Sequence, residues 1–122
     1  MPLRFRLPPY RAPRNHWRRD VHAAALAAMR RRGIRFAPGD RLSVAVRLYF
    51  PEQELRWHDV DNRLKDVLDA LQGRAGGPKS LRALDPLIPN DRQVFRVVVE
   101  KSAPPGQSHG KGHVEVKVLR RR

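Results

Sequence analysis

The sequence predicts a small α/β domain, α+β in the wider sense, in which a mixed sheet of about four strands carries two main helices. Three observations predict it. Apolar residues alternate with polar ones in short runs near the start, the middle and the end of the chain, which is the period of a half-buried strand. Two longer segments repeat their apolar residues at helical spacing and each stops at a glycine. The resulting order is strand, helix, strand, helix, strand, strand, and at 122 residues the whole of 1–122 is read as a single domain. A chain of that length buries roughly two thirds of its unfolded surface in one core.

Taken in order, Leu3, Phe5 and Leu7 alternate with Arg4 and Arg6, and Pro8-Pro9 ends the run. Asn15 is the expected N-cap of a helix reaching Arg32, with Arg30, Arg31 and Arg32 at the negative end of the helix dipole and Gly33 beyond. Trp17, Val21, Ala24 and Ala28 share one face of it. Leu42, Val44, Val46, Leu48 and Phe50 form the clearest strand, closed by Pro51. The second helix is predicted from Asp61 to Gln72, with Leu64, Val67, Leu68 and Leu71 on one stripe and Gly73 as its stop. Arg74 to Pro89 reads as a loop. Gln93 to Lys101 is a strand whose Val94, Phe95, Val97, Val98 and Val99 predict burial on both faces and an interior place in the sheet. Residues 102–112 are rich in Pro, Gly and Ser and are expected to be a mobile connector, after which Val114, Val116 and Val118 form the last strand before the Arg120-Arg121-Arg122 tail.

Composition narrows the function. Formal charge is +14, with 21 Arg and 5 Lys against 12 Asp and Glu. Such an excess attracts phosphate polymers by counterion release, so a nucleic-acid partner is expected. An anionic membrane surface is not, because neither helix has the aromatic or leucine-rich face of an interfacial anchor. The absence of cysteine excludes disulfides, thiolate metal sites and a cysteine nucleophile. The start of the chain lacks the apolar core of a signal peptide, and the longest apolar run, Ala23 to Met29, is too short to span a bilayer. These features lead to the expectation of a cytoplasmic protein, nucleoid-associated when bound to DNA.

Against that basic background, six of the acids, Asp59, Asp61, Asp66, Asp69, Asp85 and Asp91, fall between positions 59 and 91. Asp59 and Asp61 are two apart at the mouth of the second helix, where an extended chain projects both to one side. Lys65 follows one helical turn later, and Asp91 precedes the next strand. Spacing alone leaves two readings. Capping, the helix dipole and an Asp61–Lys65 pair account for the residues locally. Alternatively, Asp59, Asp61 and Asp91 converge on a hard cation such as Mg²⁺ or Mn²⁺, which prefers oxygen ligands and leaves positions for water and phosphate.

The run Asp59-Val60-Asp61-Asn62-Arg63-Leu64-Lys65-Asp66-Val67-Leu68-Asp69-Ala70-Leu71, followed by Asn90-Asp91-Arg92-Gln93-Val94, resembles the RusA family of Holliday junction resolvases. The family pattern is D-x-D-N, a lysine four residues after the second Asp, a D-A-L ending, and later an acidic pair leading into Q-V. Motifs cover roughly 40–101. The resemblance implies a RusA-like fold, Mg²⁺ held by Asp59, Asp61 and Asp91, and a catalytically required Lys65. One departure is Asn90, where the family commonly has an acid.

The expected function is therefore a Mg²⁺-dependent, structure-selective endodeoxyribonuclease, a hydrolase that resolves four-way DNA junctions in recombination and repair. Paired incision of two equivalent strands by a chain with one cluster implies a homodimer, with Trp17, Phe50 or the apolar helix faces as candidate interface residues. The alternative is a non-catalytic basic protein that binds a DNA junction or RNA. Phosphate contacts are assigned to Arg14, Arg18, Arg19, Lys101 and Lys111. His58 is either a phosphate or proton-donating neighbour of Asp59 or an exposed bystander, and Asp69 either orients Lys65 or is an exposed helix acid.

Overall fold

The computed structural model describes residues 2–76, 84–104 and 112–119. Its elements run β1 (Leu3–Arg6), α1 (Arg14–Arg32), β2 (Leu42–Tyr49), α2 (Val60–Leu71), β3 (Val94–Ser102) and β4 (Gly112–Val118), with 3₁₀ turns at Glu52–Glu54 and Asp91–Gln93. The four strands form one mixed sheet in the order β1-β4-β2-β3. β4 pairs antiparallel with both β1 and β2, whereas β2 and β3 are parallel. This is the small α+β domain that the pattern predicts.

The core lies between the helices and one face of the sheet. Leu3 and Phe5, Val114 and Val116, and Val44 and Val46 stand in register across β1, β4 and β2. All are buried, as are Trp17, Val21, Ala25 and Ala28 of α1 and Val67 and Leu71 of α2. Each of the Leu, Val and Phe side chains contributes about 1.5–3 kcal/mol when fully removed from water. Arg4, Arg47, Glu115 and their neighbours point to the other face, so alternation in the sequence and the two faces of the sheet agree.

Two boundaries differ from expectation. Pro13, not Asn15, occupies the N-cap of α1, and no side chain caps it. The C-terminal stop is as predicted: Gly33 adopts the left-handed conformation, φ 64°. Asp59, not Asp61, is the N-cap of α2, so Asp61 lies in the first helical turn rather than in extended chain. At the far end Gly73 has φ 81°, and a Cβ there would clash with the Leu84 carbonyl oxygen, so the stop is sterically required.

The main correction concerns β3. It is the edge strand, not an interior one, and Phe95, Val97 and Val98 are exposed. Its interior place is taken by β4, which inserts between β1 and β2. Residues 105–111 of the expected connector, with Lys111 and His109, and the Arg120–Arg122 tail lie outside the described residues. No helix among the described residues is long and apolar enough to cross a membrane.

Candidate functional site

α1 and α2 are joined through one buried acid. Asp66 is fully buried, and its Oδ1 accepts from Arg14 Nε and Arg18 Nε, each at 2.9 Å. Arg63 Nε stands 3.2 Å from Oδ2, near enough for attraction but not aligned as a hydrogen bond. Arg18 also reaches Asp69 Oδ2 at 3.2 Å, and Arg14 donates to the Asn62 carbonyl at 3.4 Å. Burying a carboxylate requires such compensation. The guanidinium of Arg63 lies 4.2 Å above the Tyr10 ring, which ties the same network to the aromatic cluster.

Two assignments change as a result. Arg14 and Arg18, expected on phosphate, are engaged with Asp66, Arg18 almost wholly within the protein. Asp69 neither orients Lys65 nor stands as an isolated exposed acid, since it pairs with Arg18. Arg19 is exposed on α1, consistent with a role at the surface.

With Asp66 turned toward α1, helix geometry sets the opposite side. At 100° per residue, Lys65 and Asp61 stand about 100° and 140° around α2 from Asp66 and only about 40° from each other. Both are exposed, as is Asp59. The Asp59 carboxylate accepts from Asn62 Nδ2 at 3.4 Å, a long contact. Among the described residues the side chains of Asp61 and Lys65 make no hydrogen bond or ion pair. Asp61 and Lys65 thus share one exposed face of α2, and the exposed Asp59 caps the start of the same helix.

The segment leading into that helix is braced. Lys101 Nζ donates to the carbonyls of Leu55 (2.5 Å) and His58 (2.8 Å), fixing the chain before Asp59 to the end of β3. Lys101 is therefore a strut here rather than a dedicated phosphate ligand. The His58 ring stacks on Phe50, centroids 3.9 Å apart and planes within 8°, with the Tyr10 ring at 5.0 Å. Burial pushes the His58 imidazole below its ordinary pKa, and Arg63 adds repulsion, while Glu54 acts in the opposite direction. His58 is thus a packed neutral ring, not an exposed bystander. Trp17 and Phe50 are buried, which removes both from the candidate interface residues; Trp17 Nε1 donates to the Pro8 carbonyl.

Asp91 lies elsewhere in the chain. Leu71, the last residue of α2, accepts from the amides of Leu87 and Ile88, so the Asp91 turn follows the far end of that helix. Ten residues of helix separate Asp61 from Leu71, about 15 Å. Asp91 also precedes the start of β3, while Lys101 and the Asp59 segment mark its end, about 23 Å away along the strand. Within a single chain Asp61 and Lys65 share a face of α2, Asp59 caps the start of that helix, and Asp91 lies on a separate turn. Among the described residues there is no group of three or more acidic or histidine side chains able to hold a metal ion.

Asn90 has a definite local role. It caps the 91–93 turn: its Oδ1 accepts from the Arg92 amide at 2.9 Å and its own amide donates to Gln93 Oε1 at 3.0 Å. Gln93 is buried and donates to the carbonyls of Ala37 and Asp40, locking the turn against the entry to β2. The Gln that ends the second motif therefore has a structural reason, and Asp91 is left exposed on a rigid turn.

A concavity of about 750 Å³ lies away from these acids, on the open sheet face and the flank of α1, where Arg4, Arg6, Arg31, Arg47 and His113 line it. Its Arg4 and Arg47 are paired with Glu115 and Glu100. Reasoning from sequence missed the Asp66 network and Trp57, which is 74% exposed two residues before Asp59. Comparison of the chain with models of known protein families gave no match, and comparison with curated proteins gave none either.

Proposed function

We propose that the chain is a Mg²⁺-dependent, structure-selective endodeoxyribonuclease that cuts four-way DNA junctions, acting as a homodimer in recombination and repair. The observation that carries the reading is the exposed start of α2, where the Asp61 and Lys65 side chains are left uncommitted beside the capping Asp59, while Arg14, Arg18, Asp66 and Asp69 of the same two helices are paired internally. The resemblance of the two sequence blocks to the RusA family and the charge of +14 support it.

Asp59 and Asp61 fit the cation by the chemistry of their donors, because Mg²⁺ is commonly held by one or two carboxylates together with water and substrate phosphate. What such a cation supplies when bound is a more acidic attacking water and neutralisation of charge at the leaving oxygen. Lys65, exposed on the same face of α2 as Asp61, holds the scissile phosphate in this reading.

Asp91 joins the site through the dimer. β3 is an unpaired edge carrying exposed Phe95, Val97 and Val98, the kind of strand that invites pairing with another chain. Antiparallel pairing of two β3 strands about Val98 sets Arg96 against the partner's Glu100 and Val97 against the partner's Val99. The strand is thus self-complementary in charge and in shape. That pairing also lays the start of one β3 beside the end of the other, bringing one subunit's Asp91 to the other's Asp59 end.

The test is cleavage of a labelled junction in Mg²⁺, with EDTA as control. Asp61→Asn and Asp91→Asn are each expected to bind the junction and not cut it. Mixing the two variants regenerates one intact site per mixed dimer, so single-strand nicking returns. Binding without cutting by the unaltered protein at any Mg²⁺ or Mn²⁺ concentration favours the second reading, a non-catalytic basic nucleic-acid-binding protein. That reading is supported by the meeting of only two carboxylates within one chain.

A further inference from the structure

We infer that Trp57 is a stacking platform for an unpaired nucleobase at the branch of the nucleic acid, and that it makes the protein select branched over linear DNA. This deepens the reading of the Asp59–Asp61 segment as a nuclease site and rests on it. Of the two tryptophans, Trp17 is buried in the core and Trp57 is 74% exposed. A large apolar ring gains nothing from such a position in the isolated chain, whereas a nucleobase offers it a flat apolar face of matching size.

The ring is also presented by a fixed backbone. The Trp57 amide donates to the Glu54 carbonyl at 3.0 Å, closing the turn that follows Glu52–Glu54. On either side of Arg56 and Trp57, the carbonyls of Leu55 and His58 are gripped by one ammonium, that of Lys101. His58 in turn is stacked on Phe50. Every residue flanking the pair is anchored to the sheet, while Arg56 and Trp57 are exposed. A braced aromatic loses little freedom on binding, which favours stacking. Trp57 is also only two residues from the Asp59 carboxylate, so a base seated on its ring has its phosphate near the acid pair, with Arg56 as the adjacent cation.

In fully paired linear duplex the bases are stacked on one another and the platform has nothing to take. A branch, where pairs open at lower cost, offers a base. Discrimination by shape then follows from one side chain and needs no reading of base sequence.

The experiment is titration of the full chain, in EDTA so that no strand is cut, with a four-way junction and with linear duplex of the same sequence. Tryptophan fluorescence and affinity are both recorded. Trp57→Phe identifies the Trp57 signal by difference, the buried Trp17 serving as constant background. We expect junction to quench Trp57 and duplex to leave it nearly unchanged. Trp57→Ala weakens junction binding about 5- to 140-fold, equivalent to 1–3 kcal/mol at 1.4 kcal/mol per tenfold. It leaves duplex binding within about twofold, and Trp57→Phe restores most of the loss. Equal quenching by junction and duplex, or unchanged junction preference in Trp57→Ala, overturns the proposal. So does loss of dimer by Trp57→Ala in sedimentation without a Trp57 quench, since the ring is then an interface residue. Failure of the unaltered protein to bind junctions at all instead refutes the nuclease reading, so the two failures are distinguishable.

Discussion

Replacing Asp66 by Ala tests the claim that Arg14 and Arg18 serve the fold rather than a phosphate. Asp66 has no exposed surface, and Arg18 and Arg63 keep only 15% and 8% of their side-chain surface in water, so removal of the carboxylate leaves Arg63 without its acid and Arg18 with Asp69 alone. Arg14 is 41% exposed and recovers hydration by turning outward. Losing one partner of a buried ionic network costs about 3–5 kcal/mol. Against a total stability of about 5–15 kcal/mol, that is a large share. For a domain of this size the unfolding entropy is about 0.26 kcal/mol per degree, so the midpoint of thermal unfolding should fall by about 12–20 °C. Urea unfolding followed by circular dichroism gives the free energy directly. Arg18→Ala should be destabilising too, and its effect should be strongly non-additive with that of Asp66→Ala. A loss under about 1 kcal/mol in Asp66→Ala refutes the argument. So does an Arg18→Ala protein of normal stability whose junction binding collapses, because Arg18 then acts on phosphate.

Two further outcomes follow from the same packing. Burial holds the His58 pKa below its unfolded value of 6.5, so as pH falls the unfolded chain takes up the proton first. The stability this neutral ring contributes is complete above about pH 6.5 and declines as pH drops toward the lowered folded value. Measured by urea unfolding, the stability of the unaltered protein relative to His58→Phe should therefore fall between pH 7.5 and 5.5, and a constant difference refutes the buried neutral ring. Gln93→Ala removes the partner of the Ala37 and Asp40 carbonyls and of the Asn90 amide, and should cost about 2–4 kcal/mol by the same method. An effect within 0.5 kcal/mol, of the order of an ordinary surface change, would mean that Gln93 is not the lock of the Asp91 turn.

Local rules were sufficient for much of the architecture. The alternation of Leu42 to Leu48, the stripe of Val67 and Leu71, and the stops at Gly33 and Gly73 each follow from a period or a backbone conformation within one segment. The order of elements, and with it the small mixed-sheet domain, was legible for that reason. The exposed Asp61 and Lys65 face was legible as well, because helix spacing alone places residues 61 and 65 together. The partners of Asp66 were not. Arg14 and Arg18 are 52 and 48 residues from it in sequence, and an arginine that neutralises a buried acid looks the same in sequence as one that waits for phosphate. The position of Asp91 was also beyond local rules, since it depends on β3 running parallel to β2, which sends the start of β3 away from the exit of β2.

The misplacement of β3 has a physical cause that bears on the site. A run such as Val94-Phe95-Arg96-Val97-Val98-Val99 signals that both faces or an edge will be dry, but periodicity carries no information on whether the cover comes from the same chain or another. Among the described residues β3 pairs with β2 on one side only, and Phe95 remains 61% exposed under the guanidinium of Arg41. An apolar edge of this kind promotes aggregation unless it is blocked or paired. Pairing two copies removes that liability and, with antiparallel strands, exchanges their ends. In the proposed dimer, the operation that covers Val97 and Val98 would also carry Asp91 toward the acids of the second chain. A charged residue placed at the centre of the edge should therefore abolish dimer and cleavage together while leaving the monomer folded, which couples the exposed valines to the separated carboxylates in a single cause.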